Sequence, residues 1–450
     1  TRRSRVTGSR TWEEMMFSHR HWTASRSAVA AACLAAVAGL GCSAGLAADP
    51  PGPLLAQGQP VPWWFTFKLN QAAFPNCQGG QDTRACLFDP PGRKPVTYRE
   101  GFSQQYIFAS PGSKLQQGPG CVGDTTNDPL GATFSQLYNG NYHFVVWNDQ
   151  LYQDPNIHGC GDSCDAPWGH SKGVVAWDDA GDGFVLQVST PNWPGAGSKT
   201  HPRQKNGNTL GCIMQPPKQG SGAEVPEDNT EVSQHFFALK INKDDLVKIL
   251  NALANASVVT DPTDPQLVAN GGPADVQALV KSLGKESKSQ VALTQDLSSG
   301  VTLISKPSAR HVPPWQMVSA ILGGVSLRVA SWWEKPEIPT TTASTPIKCW
   351  DDPSKPGAVE IATTGRWAGK EIGLTGGSGG KFNHAKIGVS TSGNTPYAIF
   401  GDMNQQGTLD GPNCGSSQNG RGGLFYVVRD QTLHDSVLDL LTGNSAPAGN

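Results

Sequence analysis

The chain has 450 residues, of which 37% are apolar and 16% are charged, and its formal net charge is −2. This length suits two packed units or a large two-fold pseudo-repeat better than one compact domain. The charge excludes a strongly basic nucleic-acid binder that relies on bulk electrostatics, although it allows a local basic cleft. The 53 glycines and 34 prolines indicate many loops, while 13 tryptophans and 15 phenylalanines argue against disorder.

The first 48 residues have the pattern of an export signal. Arg20 and Arg26 precede an apolar run over 28–40, and small residues continue to Ala48. The run is shorter than the roughly 20 residues that span a bilayer. We expect cleavage near Ala48 and export to the periplasm or the medium, without stable membrane association. Lipid anchoring at Cys42 is the weaker alternative.

The elements that follow alternate between strands and helices. Aromatic and β-branched runs predict strands at 61–69, 142–148, 173–177, 184–188, 301–305, 325–330, 397–401 and 424–428. Apolar residues at helical spacing predict helices from Asn242, as the N-cap, to Leu253, from near Pro273 to Gly284, and around 433–441. The polar segment 214–232 is typical of a linker, and the polar stretches 350–396 and 402–423 are typical of surface loops. We therefore expect an α/β or α+β chain with halves at 49–222 and 223–450.

Cleavage of the leader leaves an even number of cysteines, which favours disulfides in an exported protein. They are Cys77, Cys86, Cys121, Cys160, Cys164, Cys212, Cys349 and Cys414. The connectivity stays open. We favour a local pair between Cys160 and Cys164, and a pair between Cys349 and Cys414 that flanks a motif described next.

A zinc site is the alternative for the first of these pairs. His158, Cys160, Cys164 and His170 are residue types that bind zinc. The spacing of the two cysteines is loose for zinc, and the expected compartment is oxidising, so the disulfide is preferred.

A motif that occurs twice carries the chemistry. WGHSKG contains His170 and Lys172, and NHAKIG contains His384 and Lys386. On a strand, two residues at this spacing point to the same side. A hydrophobic strand and an asparagine follow each copy, Asn192 after the first and Asn404 after the second. One copy alone is usually a surface histidine beside a solvated lysine, but two copies in matching context favour a shared site.

These residue types suit phosphoryl transfer. One imidazole can attack phosphorus, while a second protonates the leaving oxygen and later takes a proton from water. Two lysines and two amides can hold the non-bridging oxygens as charge develops. Four such groups around one phosphate require neither a metal nor a cofactor, and we expect none.

The paired motif resembles the phospholipase D superfamily, although Trp177 and Thr391 stand where that superfamily has an aspartate. A fuller resemblance is to the deoxyribonuclease II family, as an exported member of bacterial type. It is carried, in family order, by QPVPWWFTFKL, WNDQ, GHSKGVVAWD, VSTPNWP, NGNTLGC, FNHAKIGVS, GDMNQQ and NGRGGLFYV.

The resemblance implies a phospholipase D-like pseudo-dimer, with two mixed sheets flanked by helices, in which each half gives one motif to a central cleft. It implies an endonuclease that acts on double-stranded DNA at acid pH without divalent metal, through a phosphohistidine, and leaves 3′-phosphate ends. The matching catalytic residues are His170, Lys172, His384, Lys386, Asn192 and Asn404. Which histidine is the nucleophile stays open, with a preference for His170, and so does the formation of a homodimer.

Candidate substrate contacts lie near the motifs. Arg203, Lys205, Lys381 and Arg421 are expected to contact phosphates, and Trp193 to stack on a base. A solvated basic loop and core packing are the respective alternatives.

Two other functions remain open from the sequence. They are another phosphodiesterase of the superfamily, such as a phospholipase D, and a catalytically silent secreted DNA-binding protein.

Removal of the arginine-rich leader lowers the net charge to about −6, and protonation of the eight remaining histidines near pH 5 raises it to about +2. We therefore expect DNA affinity to increase in acid.

Overall fold

The computed structural model describes residues 49–75, 105–123, 125–151, 160, 163–191, 193–194, 201, 231–377 and 379–449. The predicted leader, nearly all of the predicted linker, and Asn192, Arg203 and Lys205 lie outside the described residues. Residues 49–450 form one compact unit.

The first sheet has eight strands among the described residues. In chain order they are β1 (Trp63–Lys68), β2 (Tyr106–Ala109), β3 (Gln116–Gln117), β4 (His143–Asn148), β5 (Lys172–Trp177), β6 (Gly183–Val188), β7 (Gln234–Ile241) and β8 (Val268–Ala269). Their spatial order is β3-β2-β1-β7-β6-β5-β4-β8, and every neighbouring pair is antiparallel. The central strands β1, β5 and β6 are buried along their whole length.

The second sheet has seven strands in the described part of the chain. They are β9 (Leu293–Asp296), β10 (Thr302–Lys306), β11 (Leu327–Ala330), β12 (Val359–Ile361), β15 (Ile387–Ser390), β16 (Tyr397–Gly401) and β17 (Gly423–Arg429). Their order is β12-β11-β15-β16-β17-β10-β9, with one parallel pair, β11 and β12. A separate hairpin joins β13 (Thr364–Trp367) to β14 (Lys370–Gly373). The chain is therefore α+β with mostly antiparallel sheets.

Five helices accompany the described strands. They are α1 (Pro129–Asn139), α2 (Lys243–Asn255), α3 (Ala274–Ser282), α4 (Pro314–Ile321) and α5 (Gln431–Leu440). The predicted cap of α2 is confirmed, because Asn242 accepts from the amide of Asp245 at 2.9 Å in a capping box. Asp430 is the N-cap of α5, where its side chain accepts from the amide of Leu433 at 2.9 Å.

The two sheets repeat one connectivity. The order β1-β7-β6-β5-β4 in the first sheet matches β10-β17-β16-β15-β11 in the second. Helices α1 and α4 stand at equivalent points in the chain, before β4 and β11, and α2 and α5 follow β7 and β17. Strands β5 and β15, which follow the two motifs, are therefore equivalent, as expected for a pseudo-dimer.

The boundary expected at 222/223 does not agree with sheet membership. Strand β7 follows that boundary, yet it lies between β1 and β6, and β8 also joins the first sheet. The reason is that β7 returns to pair with β1, as β17 returns to pair with β10. The first sheet therefore continues beyond residue 222, through β8.

Aromatic side chains join the two sheets. Phe400 of β16 stacks on Phe65 of β1 at 4.2 Å and on Phe237 of β7 at 4.8 Å, and Tyr426 of β17 lies 5.6 Å from Phe237. All four are fully buried. Burial of each such side chain stabilises the fold by roughly 2–3 kcal/mol. The junction is therefore part of the core and holds the two motifs in fixed relation.

The expected local disulfide between Cys160 and Cys164 is present, and so is the pair between Cys349 and Cys414 that flanks the second motif. The first bond removes the two thiolates that a zinc site would need. No helix in the described ranges is long and apolar enough to cross a membrane.

Candidate active site

A cleft of about 530 Å³ lies between the two halves, where the segments that carry the two motifs meet. Both histidines line it. The predicted residues on its walls are His170, His384, Lys386, Asn404 and Arg421, and Trp332, Gln418 and Ser189 also line it. The structure therefore brings together five of the residues that the sequence singled out.

Each motif histidine is attached to the opposite half by its backbone. The amide of His170 donates to the carbonyl of Gly422, just before β17, at 2.8 Å. The amide of His384 donates to the carbonyl of Ser233, just before β7, also at 2.8 Å. These crossed hydrogen bonds fix the separation of the two imidazoles across the cleft.

The hydrogen bonds of His170 define its tautomer. Its Nδ1 lies 2.7 Å from the backbone carbonyl of Asp402, which can only accept, so Nδ1 carries the proton. Burial, followed by the charge of Lys172, lowers the pKa of His170 well below its usual value. His170 is therefore neutral with a lone pair on Nε2, which is the state that a nucleophile requires.

Asp149 forms a buried charge cluster beneath this histidine. Its two oxygens accept from Lys172 Nζ at 2.6 Å and from Arg421 Nη2 at 2.8 Å. Burial raises the pKa of Asp149, but the combined effects of Lys172, His170 and Arg421 outweigh it, so the pKa of Asp149 lies well below its usual value. Lys172 is only 2% exposed and does not line the cleft. It therefore acts on the cleft through its charge and through the placement of Asp149.

Arg421 is held by the same cluster. Besides Asp149, its guanidinium donates to the carbonyls of Trp168 at 3.0 Å and Gly169 at 2.9 Å. It thus ties the segment before the first motif to the second half, while its remaining surface faces the cleft.

Asp402 is a second buried carboxyl group at the site. Its oxygens accept from the amide of Leu424 at 2.9 Å and from Gln187 Nε2 at 3.1 Å. Burial raises the pKa of Asp402 to about 7. Asp402 is therefore mostly neutral in acid and gains a negative charge above neutrality.

Burial lowers the pKa of Lys386, whereas it raises that of Asp402. Its Nζ donates to the carbonyl of His384, and its amide donates to Nδ1 of His235 at 3.1 Å. Burial, together with the charge of Lys172, lowers the pKa of Lys386 to about 7. Below that pH the side chain is a cation on the wall of the cleft.

His384 packs against an aromatic ring. The ring of Trp332 meets it edge to face at 4.4 Å. Trp332 in turn is backed by Gly376, where a Cβ atom would come within 2.8 Å of the indole. This packing fixes the plane of the His384 imidazole.

The segment Arg421–Gly423 leaves no room for a side chain at its first glycine, Gly422. A Cβ at Gly422 would lie 2.1 Å from the carbonyl oxygen of Ala256, at the end of α2. The same oxygen lies 2.5 Å from a Cβ at Gly169, directly before the first motif histidine. Both glycines permit this close approach, so the two segments that position His170 meet over Ala256.

Asn404 is presented by a polar loop. Its amide donates to Gln418 Oε1 at 3.2 Å, and its Nδ2 donates to Gln406 Oε1 at 2.9 Å. Residues 402–406 are buried. The expectation of a surface loop over 402–423 is therefore wrong at its start, because this segment forms one wall of the cleft.

The remaining predicted contacts have different outcomes. Trp193 is fully buried between Phe134, at 4.9 Å, and Phe236, at 5.8 Å. It is a core residue and is not placed to stack on a base. Lys381 is exposed beside Phe382 and does not line the cleft, so its contact with DNA stays a prediction. Asn192, Arg203 and Lys205 lie outside the described residues.

Sequence reasoning missed four residues at the site: Asp149, His235, Trp332 and Asp402. Two of them stand in the quoted segments WNDQ and GDMNQQ, so the signal was present. Their role was hidden because they reach the motifs from neighbouring strands. Asp149 pairs with Lys172 at 2.6 Å.

The pseudo-symmetry of the site is broken in its chemistry. When the strand registers of the two halves are matched, Asp149 of the first half occupies the position equivalent to Trp332 of the second. Ser189 is likewise equivalent to Asp402. Ser189 and Asp402 accept equivalent amides, from His235 and Leu424. Substitution at equivalent positions therefore gives the two histidines different surroundings, which suits different roles.

Comparison with known proteins supports the interpretation of this cleft. The family model for deoxyribonuclease II matches residues 54–442. The chain belongs to the deoxyribonuclease II family. It is also 26% identical over 323 residues to cell-death-related nuclease 7 of Caenorhabditis elegans. The aligned region covers 69% of this chain and 72% of the relative. The protein is thus a hydrolase of the deoxyribonuclease class, and the cleft that holds both motifs is its candidate active site.

Proposed function

We propose that this deoxyribonuclease II family member cleaves DNA at acid pH without a divalent metal, with His170 as the nucleophile. The observation that carries the proposal is the bond from His170 Nδ1 to the carbonyl of Asp402, which leaves Nε2 as a base aimed at the cleft. A second supporting feature is the lowered pKa of His170, which favours the neutral imidazole.

In the first step His170 Nε2 attacks phosphorus and the bond to the 5′-oxygen breaks. His384 gives its proton to that oxygen, which leaves as a 5′-hydroxyl. The product is a phosphohistidine that carries the 3′-linked strand. Lys386 and Arg421 supply positive charge beside the non-bridging oxygens, with Asn404 as a further donor.

In the second step His384 takes a proton from water. The resulting nucleophile attacks phosphorus, the phosphorus–nitrogen bond breaks, and His170 regains its lone pair. The strand is released with a 3′-phosphate. Both steps balance without a metal or a cofactor.

Acid activity is supported by the two groups that titrate near pH 7. Below this pH Lys386 is protonated and Asp402 is neutral, so the site is more positive by two charges than it is in alkali. A polyanionic substrate is therefore favoured in acid. We expect activity to decrease above pH 7.

The deoxyribonuclease II family membership favours this function over a phospholipase D, and the presence of both histidines in one cleft favours it over a silent DNA-binding protein. Export of the mature chain remains part of the proposal. The disulfides Cys160–Cys164 and Cys349–Cys414 suit an oxidising compartment. Detection of the chain outside the cytoplasm with residues 1–48 removed would test it.

Plasmid nicking at pH 5 in EDTA tests the reaction. We expect cleavage by the wild type, ends that polymerase extends only after phosphatase treatment, and no cleavage by His170→Ala or His384→Ala. His143→Ala is the matched control, because this histidine pairs with Asp179 on the surface. Loss of wild-type cleavage in EDTA would overturn metal independence.

A modified substrate separates the two histidines. DNA with a bridging 5′-sulfur has a leaving group that does not need protonation. We expect His384→Ala to accumulate a covalent protein–DNA adduct on this substrate and His170→Ala to form none. The reverse pattern would assign the nucleophile to His384.

A further inference from the structure

Two lysines outside the motifs occupy equivalent places in the two halves. Lys68 is the last residue of β1 and Lys306 is the last residue of β10. Lys68 stands opposite Gln234 at the start of β7, and Lys306 stands opposite Gly423 at the start of β17. Each lysine thus lies beside the segment that leads into the neighbouring strand.

Both ammonium groups are fully buried and donate to backbone carbonyls. Lys306 Nζ donates to Arg310 at 2.7 Å and to Asn419 and Arg421 at 2.8 Å each. Lys68 Nζ donates to Val232 at 2.6 Å. Three short acceptors account for all three protons of the Lys306 ammonium.

The carbonyls that the lysines hold are next to those that hold the motif histidines. Arg421 precedes Gly422, whose carbonyl accepts from the amide of His170. Val232 precedes Ser233, whose carbonyl accepts from the amide of His384. One lysine in each half is therefore one peptide away from the crossed bond that places a histidine.

Burial of an ammonium is costly, and its removal alone leaves the buried carbonyls that it holds without a donor. The two lysines therefore stabilise these segments, and a kinetic measurement is needed to separate this effect from positioning. An apolar chain cannot orient three carbonyls, whereas an ammonium can. Burial lowers the pKa of Lys306 to about 7, so it is charged at the pH proposed for the enzyme.

We propose that Lys306 and Lys68 are positioning residues for DNA hydrolysis. Lys306 orients the segment that places His170 and Arg421, and Lys68 orients the segment that places His384. The inference rests on the proposed function, in which these histidines perform the chemistry.

The test compares Lys306→Met and Lys68→Met with Lys248→Met. Lys248 also donates to one carbonyl, that of Asp296, at 2.7 Å, but on the surface and away from the cleft. Displacement of a catalytic group by about 1 Å can lower the rate about 100-fold. We expect kcat on DNA at pH 5 to decrease about 100-fold in the two buried variants, with KM within about threefold of wild type and Lys248→Met unchanged.

Lys306→Gln and Lys68→Gln provide the rescue arm, because the amide keeps two of the donors. We expect kcat values between those of wild type and the methionine variants. Thermal unfolding of every variant is measured, and a methionine variant that does not fold is replaced by its glutamine counterpart. Folded variants with wild-type kcat, or a loss confined to KM, overturn the inference.

The adduct assay distinguishes this inference from the proposed function. In the His384→Ala background, Lys306→Met is expected to slow adduct formation on the bridging-sulfur substrate, while Lys68→Met leaves it unchanged. A wild type that cleaves only with added metal contradicts the metal-free mechanism. The lysine comparison is then made with that metal, and its result stands independently.

Discussion

At the scale of single residues, the site depends on buried charges that compensate one another. Asp149 forms ion pairs with both Lys172 and Arg421, and Asp402 lies close enough to Lys172 for the lysine charge to lower the pKa of this carboxyl group. Each group is costly to bury alone, because desolvation of an ion is repaid only by a well-placed partner. Removal of one member should therefore have a large effect.

Asp149→Asn should destabilise the protein by about 3–5 kcal/mol, because it leaves two buried cations without their carboxylate. We also expect loss of most activity, since Arg421 and Lys172 lose their anchor. Urea denaturation measures the first effect. Asp179→Asn is the control, because that side chain is 96% exposed in its pair with His143. A loss below 1 kcal/mol in Asp149→Asn would contradict the prediction.

Asp402→Asn should change how stability depends on pH. The pKa of Asp402 is raised from 3.8 to about 7, so the native state holds a proton that the unfolded chain has released. Wild-type stability should therefore decrease as pH rises from about 4 to 7, by at most about 1.4 kcal/mol per pH unit from this group. The asparagine variant lacks this titrating carboxyl group. Its free energy of unfolding, relative to that of wild type, should therefore increase over the same pH range.

Urea denaturation at several pH values checks this prediction, with Asp439→Asn as the control on the exposed side of α5. Parallel stability curves for wild type and Asp402→Asn would show that Asp402 does not titrate in this range.

At the scale of elements, short local signals account for most of the helices and strands. The capping box at Asn242 begins α2, and runs of aromatic and β-branched residues mark β1 and β4. Long-range covalent links then fix the loops around the second motif. The bond between Cys349 and Cys414 closes a loop of 65 residues that contains Lys386, whereas Cys160 and Cys164 are four apart.

The two disulfides should differ in their contribution to stability. Loop-closure entropy predicts a loss of about 4 kcal/mol for the Cys349→Ala/Cys414→Ala pair and about 2 kcal/mol for the Cys160→Ala/Cys164→Ala pair. Denaturation of the oxidised proteins under the same conditions compares them directly. An equal loss from both pairs would show that strain or native contacts, and not loop length, decide the effect.

At the scale of the whole molecule, the net charge needs a correction. His170 and His235 are buried with pKa values well below the usual range, so they gain a proton in acid less readily than the other histidines. The net charge of the mature chain near pH 5 is therefore lower than the expected value of about +2. The change that DNA meets in the cleft comes from Lys386 and Asp402, both near pH 7.

DNA affinity should therefore increase between pH 7.5 and pH 5 at fixed salt, with a midpoint near 7. Fluorescence anisotropy with the inactive His170→Ala variant measures it without cleavage. The double variant His170→Ala/Asp402→Asn should show a smaller increase, because one of the two titrating groups is absent. Constant affinity over this range would exclude an acid-dependent cleft.

The sequence by itself determined the fold class, most of the elements and the two pairs His170/Lys172 and His384/Lys386. These signals are local, because a strand pattern or a two-residue spacing is set by neighbours in the chain. The tertiary structure decided the rest. It placed β7 in the first sheet, moved Trp193 into the core, and brought Asp149 to Lys172 and Asp402 to His170. The physical reason is that burial and pairing of charges depend on which strands become neighbours, and that information is spread over the whole chain.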